Sequence, residues 1–150
     1  MIDNLDRKPW KLLKRVLPQH TDHAGVMWHG AYLCWLEEAR VEALAQVGLT
    51  YQELSSKGYE MPVISIEINY INALKHGELI MLESYSLPRT LARWPWKTNF
   101  LRDGLIVAKA KVDLVLVEKV GSSSRLIRKV PDQILSPLLK LQLGPGLRNN

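Results

Sequence analysis

The residues with the clearest chemical potential lie together in residues 20–32, a polar segment ahead of a helical pattern. Asp22 offers a carboxylate that is ionised at neutral pH, so it can attack a carbonyl carbon or take a proton from water. The residue pattern leaves both roles open. The competing interpretation is that Asp22 only holds a turn or caps a helix, which is the commoner use of a loop aspartate.

The start of the following helix offers a second chemical function. Backbone N–H groups in the first turn of a helix have no intrahelical acceptor, and the positive end of the helix dipole lies there, so this position favours a developing negative charge. Gly25 and Gly30 would let the chain bend sharply and let a substrate approach the backbone, although turn formation alone explains Gly30 equally well.

Periodic patterns predict the helices that position this segment. A first helix is predicted to begin at Ala31 and to end before Gly48. Its apolar positions recur at steps of three or four: Tyr32, Leu36, Ala39, Ala43 and Val47. Thr50 and Glu53 have the spacing of a capping box, which predicts a second, short helix that Gly58 closes.

The rest of the chain has the period of two that is typical of strands. Residues 10–17 predict a first strand that ends at Pro18. Asp103-Gly104 predicts a tight hairpin turn between the last two of four later strands. These four alternating runs are 64–70, 79–87, 93–102 and 105–120. The predicted fold class is α+β, a curved antiparallel sheet with a meander of four strands, wrapped around one long central helix.

The amino-acid composition excludes several classes of protein. The 150 residues are 47% hydrophobic and 23% charged, which is the balance of one globular domain over residues 1–150. We expect its core at about 10–130 and a tail over 131–150 in which a short helix precedes disorder. The single cysteine, Cys34, excludes an internal disulfide framework and a cysteine-rich zinc module. No membrane span or secretion signal is visible, so a cytoplasmic location is expected.

The net charge of +5 is unevenly distributed along the chain. Residues 21–88 carry three basic and nine acidic side chains, whereas residues 89–129 carry ten basic and three acidic ones. Such an excess suggests a polyanionic partner. Trp94, Trp96 and Phe100 lie among these basic residues and would offer a stacking platform for nucleic acid, but no recognisable nucleic-acid-binding signature accompanies them.

The segment around Asp22 resembles a known signature. The spacing of Asp22, Gly25, Val26, His29 and Tyr32 is similar to that of hotdog-fold acyl-CoA thioesterases of the 4-hydroxybenzoyl-CoA thioesterase and YbgC-like group. The similarity continues through residues 36–40, and the predicted order of elements matches the hotdog fold. The departure from the family pattern is His20, where an acidic or small residue is more usual.

The resemblance implies roles for individual residues. Asp22 matches the catalytic aspartate of the family, and the backbone amide of His29, with Gly30 beside it, matches the donor to the thioester oxygen. The resemblance also implies substrate-binding positions at Gly25, Val26, Trp28 and Tyr32. No metal or other cofactor is implied.

The activity implied is hydrolysis of a CoA thioester to a free acid and CoA. Aromatic acyl groups of the hydroxybenzoyl or 1,4-dihydroxy-2-naphthoyl type fit the family, and a short aliphatic acyl group is the alternative. A non-catalytic protein that binds acyl-CoA or nucleic acid is a further alternative. The expected partners are an acyl-CoA and other copies of the chain, in a dimer or tetramer, with no nucleic acid and no membrane span.

Other residues are weaker candidates. Glu38 on the predicted helix is an alternative base, although a solvated helix face explains it more simply. Cys34 falls within the apolar helix and is expected to be a small buried residue. Three nearby histidines, His20, His23 and His29, lack ligand partners at a familiar metal-site spacing. The basic residues of 89–129 are candidates for contacts with CoA phosphates.

Overall fold

The computed structural model describes residues 7–146, which form two antiparallel sheets, three α-helices and a short 3₁₀ helix. The five-stranded sheet, called here the main sheet, and the longest helix contain most of the buried residues. In chain order the elements are β1 Trp10–Arg15, the 3₁₀ helix Pro18–His20, α1 His29–Gln46, α2 Tyr51–Ser56, β2 Tyr59–Glu60, β3 Val63–Tyr70, β4 Leu79–Ser86, β5 Arg93–Arg102, β6 Leu105–Val115, β7 Val117–Val120, β8 Ser123–Leu126 and α3 Asp132–Leu143.

The main sheet has the strand order β1-β4-β5-β6-β3, and all neighbouring strands are antiparallel. The predicted meander is correct for β4, β5 and β6, and Asp103 and Gly104 both have positive φ in the turn before β6. It is wrong for β3, which pairs with β6 and not with β4. β3 exposes most of its side chains, which suits the edge of a sheet, whereas β5 and β6 bury alternate residues and lie inside it.

Helix α1 packs against one face of this sheet, called here the inner face. Trp35, Leu36 and Leu44 are among its buried residues, and they belong to the same apolar cluster as the inner side chains of the strands. Full burial of a large apolar side chain stabilises a fold by about 1.5 to 3 kcal/mol. The helix begins two residues before the predicted start, and Gly48, with φ of +77°, follows its end as predicted.

A second sheet was not predicted. The long alternating run of residues 105–120 is interrupted at Leu116, which is fully buried, and the chain then leaves the main sheet. β7 pairs with β2 on one side and with β8 on the other. The single strand predicted over this run is therefore wrong, because burial of Leu116 in the core takes the following residues into a different sheet.

Helix α3 covers part of the sheet near β1 and β4. Ile134, Leu138 and Leu141 are buried, and the indole Nε1 of Trp10 donates a hydrogen bond to the Leu141 carbonyl oxygen at 2.8 Å. The predicted helix in the tail is therefore confirmed and is held by tertiary contacts. The end of the tail, where disorder was expected, includes residues 147–150, which lie outside the described residues. None of the helices in residues 7–146 has the length and apolar character needed to cross a membrane.

Candidate active site

The segment before α1 folds back on itself as a tight hairpin. Thr21 and Met27 form an antiparallel bridge, and the Asp22 amide donates to the Val26 carbonyl oxygen at 2.9 Å. The Met27 amide donates to the Leu74 carbonyl oxygen at 2.7 Å, so the segment between β3 and β4 anchors the hairpin. These bonds hold a segment that sequence patterns predicted only as an irregular loop.

The carboxylate of Asp22 is fixed by this hairpin. Its Oδ1 accepts hydrogen bonds from the amides of Ala24 at 2.8 Å and Val26 at 3.4 Å, and the side chain is exposed to solvent. The turn-holding role that the sequence left open is thus present. It occupies one carboxylate oxygen, and Oδ2 has no hydrogen bond to any other group in residues 7–146. A role of Asp22 in catalysis stays a prediction.

The first turn of α1 presents free backbone amides. Trp28 precedes the helix without a side-chain cap, and its own amide donates to the His20 carbonyl oxygen at 3.0 Å. No acceptor elsewhere in residues 7–146 is bonded to the amides of His29 and Gly30. Two unpaired N–H groups at the positive end of an 18-residue helix form an arrangement that binds oxyanions.

Gly30 makes room for an aromatic ring over this helix start. A Cβ atom at Gly30 would overlap the six-membered ring of the Trp28 indole, although Gly30 has ordinary helical backbone geometry. The half-exposed Trp28 ring also packs edge to face against His29, with ring centroids 5.3 Å apart. The space that glycine leaves therefore positions Trp28 beside the free amides.

Replacing Gly30 by alanine is expected to push the Trp28 ring aside and to lower kcat/KM, for the thioester hydrolysis that the resemblance implies, about tenfold or more, since small displacements near a reacting group are costly. The free energy of unfolding should change by less than about 1 kcal/mol, because alanine is the better helix former. Steady-state kinetics and the indole NMR resonance of Trp28 measure both effects. Gly146→Ala, which adds a Cβ in open space, is the control. Unchanged kinetics and an unshifted resonance in Gly30→Ala would contradict this role.

A cavity of about 270 Å³ lies between the start of α1 and the end of β3. Tyr32 is buried in its wall, and its ring packs against those of Tyr70 and Phe100, with centroids 4.8 and 5.4 Å away. Burial, and secondarily the neighbouring Tyr70, raises the pKa of Tyr32 to about 12, so its hydroxyl stays neutral at physiological pH. The lining residues are Met27, His29, Tyr32, Tyr70, Ile71, Asn72 and Ala73.

The cavity contains only some of the predicted site residues. His29 and Tyr32 line it, whereas Asp22 does not and lies in the adjoining hairpin, whose last residue is Met27. Among the predicted substrate-binding positions, Gly25 turns the hairpin with φ of +78° and Val26 bridges to Lys75. The residues contributed by the end of β3 and the segment after it were not predicted, because a sequence pattern does not reveal which strand end meets α1.

Two of the weaker candidates have other surroundings. The Glu38 carboxylate forms an ion pair with Lys14, with Nζ and Oε2 2.9 Å apart, and does not line the cavity. Cys34 is exposed, so the prediction that it is buried is wrong: α1 turns this position away from the sheet. No set of three His, Cys, Asp or Glu side chains within residues 7–146 is arranged to hold a metal ion.

His20, just before the hairpin, is held in place by contacts with Leu17 and Trp35. Its Nδ1 accepts a hydrogen bond from the Leu17 amide at 3.0 Å, and its ring packs edge to face on Trp35. Burial, followed by the charge of Lys14, lowers the pKa of His20 below its ordinary value of 6.5. The folded protein therefore favours a neutral imidazole, which is also the form that can accept this hydrogen bond.

This shift predicts a loss of stability in acid. Because the unfolded chain binds a proton at His20 more tightly than the folded protein does, the free energy of unfolding should fall as the pH drops below about 6.5. In His20→Gln this contribution disappears, so the decline between pH 7.5 and 5.5 should be shallower in urea unfolding. His23→Gln, at an exposed position, serves as the control. An identical decline in wild type and His20→Gln would refute the assignment.

The basic residues of the later strands do not form one surface. Several are engaged in ion pairs, including Arg93 with Asp113 at 2.9 Å and Arg102 with Glu78 at 2.7 Å. A second cavity, of about 520 Å³, nevertheless brings three arginines together at the end of the sheet opposite the first cavity. We call it the arginine pocket; its lining is Ile64, Arg89, Leu91, Ala92, Arg93, Val115 and Arg128.

The aromatic residues between these basic positions belong to the core. Trp94, Trp96 and Phe100 are at most 4% exposed and face α1. Arg89 covers the Trp94 ring with its guanidinium 5.4 Å from the ring centroid. A nucleic-acid platform built on these three rings is therefore excluded, because none of them can stack on a base without unfolding the sheet.

Comparisons with known proteins agree with this geometry. A candidate esterase of Synechocystis sp. is 31% identical over 143 residues, which cover 94% of this chain and 85% of that protein. The acyl-CoA thioesterase YbgC of Haemophilus influenzae is 30% identical over 105 residues, covering 69% of this chain and 77% of the relative. A Synechocystis 1,4-dihydroxy-2-naphthoyl-CoA thioesterase shares the fold, with a TM-score of 0.76 at 17% identity over 88% of this chain and 96% of that one.

The family is identified by a model that spans most of the chain. The model of the thioesterase-like superfamily matches residues 16–138, which include the Asp22 hairpin, α1 and four of the five strands of the main sheet, all except β1. The chain therefore belongs to the thioesterase-like superfamily.

Proposed function

We propose that the protein is an acyl-CoA thioesterase that hydrolyses a CoA thioester to a free acid and CoA. One observation carries this proposal: the unpaired amides of His29 and Gly30 lie in the first turn of α1, and His29 and Tyr32 of the same helix line a largely apolar cavity. The Asp22 hairpin adjoins the same cavity through Met27. A carboxylate, an oxyanion site and an acyl pocket are the three things that thioester hydrolysis needs.

Two routes use these groups with balanced chemistry. In the first, an oxygen of Asp22 attacks the thioester carbonyl, CoA leaves as a thiolate that takes up a proton, and water then hydrolyses the resulting anhydride. In the second, Asp22 takes a proton from a water molecule as that water attacks the carbonyl, and CoA again departs. In both, the His29 and Gly30 amides donate to the oxygen that becomes negatively charged. Neither route uses a metal or other cofactor.

The walls of the cavity favour an aromatic acyl group. Tyr32 and Tyr70, whose rings pack edge to face, line the cavity together with the apolar Met27 and Ile71. Aromatic rings gain from such offset and edge-to-face contacts beyond the burial of area. A relative of 28% identity from Prochlorococcus marinus is named as a 1,4-dihydroxy-2-naphthoyl-CoA hydrolase, which supports a hydroxybenzoyl or dihydroxynaphthoyl group. A short aliphatic acyl group is the alternative.

The free edge of β3 supports self-association. β3 ends the main sheet, where Ile66 and Tyr70, which face the α1 side, are 45% and 50% exposed, and Ile64 at the β-bulge is 47% exposed. The unpaired backbone N–H and C=O groups of such an apolar edge can form hydrogen bonds with a strand of another chain. We propose that a second copy pairs its β3 antiparallel to this one, which continues the sheet through a two-fold axis and forms a dimer, or a tetramer built from such dimers.

Dimerisation of this kind would bring the arginine pocket of one subunit to the same end of the paired strands as the cavity of the other. Ile64 lines the arginine pocket, and Tyr70 lines the cavity at the start of α1, called here the acyl cavity. About 20 Å of strand therefore separates the two cavities in one chain. Antiparallel pairing of β3 with its copy reverses that direction. The arginine pocket of the partner subunit, whose Arg93 and Val115 lie on the sheet face opposite α1, would then be at the same end of the paired strands as the acyl cavity. Its guanidinium groups, of which that of Arg93 is already paired with Asp113, suit the phosphates of CoA, whose pantetheine arm would cross the interface.

A panel of CoA esters tests the proposed substrate. Thiol release should be fastest with 4-hydroxybenzoyl-CoA or 1,4-dihydroxy-2-naphthoyl-CoA and slower with acetyl-CoA, butyryl-CoA and longer aliphatic esters. A preference for a short aliphatic ester would instead support the alternative, a thioesterase for short aliphatic acyl-CoA. Saturable binding of the esters without thiol release would indicate a non-catalytic acyl-CoA-binding protein. The expected cytoplasmic location stays a prediction.

A further inference from the structure

The hydroxyl of Tyr32 is a polar group of a buried side chain that has no partner in the protein. Tyr32 is 2% exposed, and its hydroxyl forms no hydrogen bond with any group in residues 7–146. The oxygen is not fully enclosed by protein atoms, and the space that Tyr32 borders is the acyl cavity. Because polar groups of buried side chains are almost always paired, this hydroxyl is available to a group that occupies the cavity.

The other polar side chains of the acyl cavity have different surroundings. His29, Tyr70 and Asn72 are exposed, so water can satisfy them whether or not a ligand is bound. Met27 is the only other residue of the lining in residues 7–146 that is buried, and it is apolar. A ligand that fills this part of the cavity therefore has to supply a partner for the Tyr32 hydroxyl or leave it unpaired at a cost.

The charges around Tyr32 favour an uncharged partner. Burial, followed by the neighbouring Tyr70, raises the pKa of Tyr32 to about 12, so its hydroxyl is neutral. Arg102 and Glu78, whose charges also act on Tyr32, bond to each other with Nη1 and Oε2 2.7 Å apart. Within residues 7–146 the lining includes no Lys, Arg, Asp or Glu. A carboxylate would lose its hydration here without gaining a counter-charge, whereas a second hydroxyl can both donate and accept.

The position of Tyr32 on α1 places it along the acyl group. Tyr32 follows His29 by three residues, so the two side chains lie on the same face of the helix about one turn apart. An acyl group whose carbonyl oxygen is bound by the amides of His29 and Gly30 can extend along this face. Contacts with the rings of Tyr70 and Phe100, with centroids 4.8 and 5.4 Å away, hold the Tyr32 ring in place.

We propose that Tyr32 is a specificity-determining residue whose hydroxyl forms a hydrogen bond with a phenolic hydroxyl of the acyl group. This inference rests on the proposed function. It identifies the acyl group as an uncharged, hydroxylated aromatic ring. An unsubstituted ring of the same shape leaves the Tyr32 hydroxyl unpaired, so the enzyme discriminates against it.

Hydrolysis of matched esters by Tyr32→Phe tests this role. The substrates are 2-, 3- and 4-hydroxybenzoyl-CoA, and benzoyl-CoA, which lacks only the hydroxyl. For the wild type, kcat/KM with the best hydroxylated ester should exceed that with benzoyl-CoA about tenfold or more. In Tyr32→Phe, kcat/KM with that ester should fall about tenfold, and kcat/KM with benzoyl-CoA should change less than about twofold.

Stability and a second tyrosine provide the controls. Because the Tyr32 hydroxyl has no partner in the protein, Tyr32→Phe should melt at the same temperature as the wild type or at a higher one. Tyr85→Phe removes a hydroxyl from β4 on the face of the sheet opposite α1, and should leave kcat/KM for each ester unchanged.

Binding measured in the Asp22→Asn background tests the same discrimination apart from the chemical step. Calorimetry with the best hydroxylated ester should show a Kd about tenfold higher when Tyr32→Phe is added to Asp22→Asn. The Kd for benzoyl-CoA should change less than about twofold.

The outcomes distinguish this inference from the function on which it rests. An active enzyme that hydrolyses benzoyl-CoA as fast as the hydroxylated esters overturns the role of Tyr32. So does a Tyr32→Phe variant that slows all the esters equally, or none of them. Both results leave the thioesterase assignment intact. Absence of thiol release by the wild type from every CoA ester overturns the proposed function itself.

Discussion

Asparagine in place of Asp22 is expected to lower kcat for an aromatic acyl-CoA by about 10² to 10⁴-fold, the usual contribution of a positioned acid, base or nucleophile. The amide oxygen of asparagine can still accept the hydrogen bonds from Ala24 and Val26 that the carboxylate Oδ1 accepts. The hairpin should therefore persist, and the free energy of unfolding should change by less than about 0.5 kcal/mol. Thiol release and urea unfolding on the same preparation measure both quantities.

Asp22→Ala separates the two functions of this residue. It removes the carboxylate and the turn hydrogen bonds together, so the variant should lose activity and about 1 kcal/mol of stability. Wild-type turnover in Asp22→Asn would remove Asp22 from the chemistry and leave it as a turn residue only. In that case Glu38, freed from Lys14, would be the next carboxylate to test.

Lysine at Ile66 is expected to convert the proposed dimer to a monomer and to lower kcat/KM at least tenfold. Ile66 is 45% exposed in one chain, so lysine there can reach solvent and the subunit should stay folded. Ile66 is near the middle of β3, so in the proposed antiparallel dimer two ammonium groups would be buried close to each other without partners. Sedimentation velocity and circular dichroism distinguish loss of the dimer from loss of the fold.

The opposite edge of the sheet offers a matched control. Leu13 on β1 is 56% exposed, and Leu13→Lys introduces the same charge at an edge that the proposed dimer does not use. This variant should keep both the dimer and the activity. A dimeric and fully active Ile66→Lys would show that the subunits associate elsewhere, and the composite substrate channel would then have no basis.

The sequence correctly predicted the helix cap, the turns and the strand bounds that depend on residues close together in the chain. The capping box of Thr50 and Glu53 is present at α2, with the Glu53 amide donating to the Thr50 hydroxyl at 3.1 Å. Gly48 and the Asp103-Gly104 turn adopt the positive φ values that their residue types favour. The bounds of β5 agree with the alternating pattern at both ends.

The sequence pattern could not predict which distant strands pair with each other in the sheet. The alternation of residues 64–70 identifies a strand, but nothing in it indicates that β6 and not β4 is its neighbour. The break at Leu116 is equally invisible, because the alternation continues into β7 after the chain has changed sheets. Strand order depends on how the apolar faces of distant elements are buried together, which requires the whole fold.

The same distinction applies to the site. Asp22, His29 and Tyr32 were identified because they lie close together in sequence and match a family signature. Tyr70 and Ile71 reach the cavity from the end of β3, about 40 residues later, and no local signal marks them. Membership of the thioesterase-like superfamily confirms the resemblance, and the antiparallel sheet with its long helix confirms the hotdog fold. The roles of the individual residues await experiment.

Release of the CoA thiol from 4-hydroxybenzoyl-CoA, compared at equal subunit concentration between wild type and Asp22→Asn, tests the central claim most directly. We predict saturable turnover by the wild type and a rate at least about 100-fold lower in the variant, with both proteins equally folded. Equal turnover by the two proteins would contradict the role of Asp22. Absence of thiol release by the wild type from this and every other ester of the panel would contradict the proposed activity.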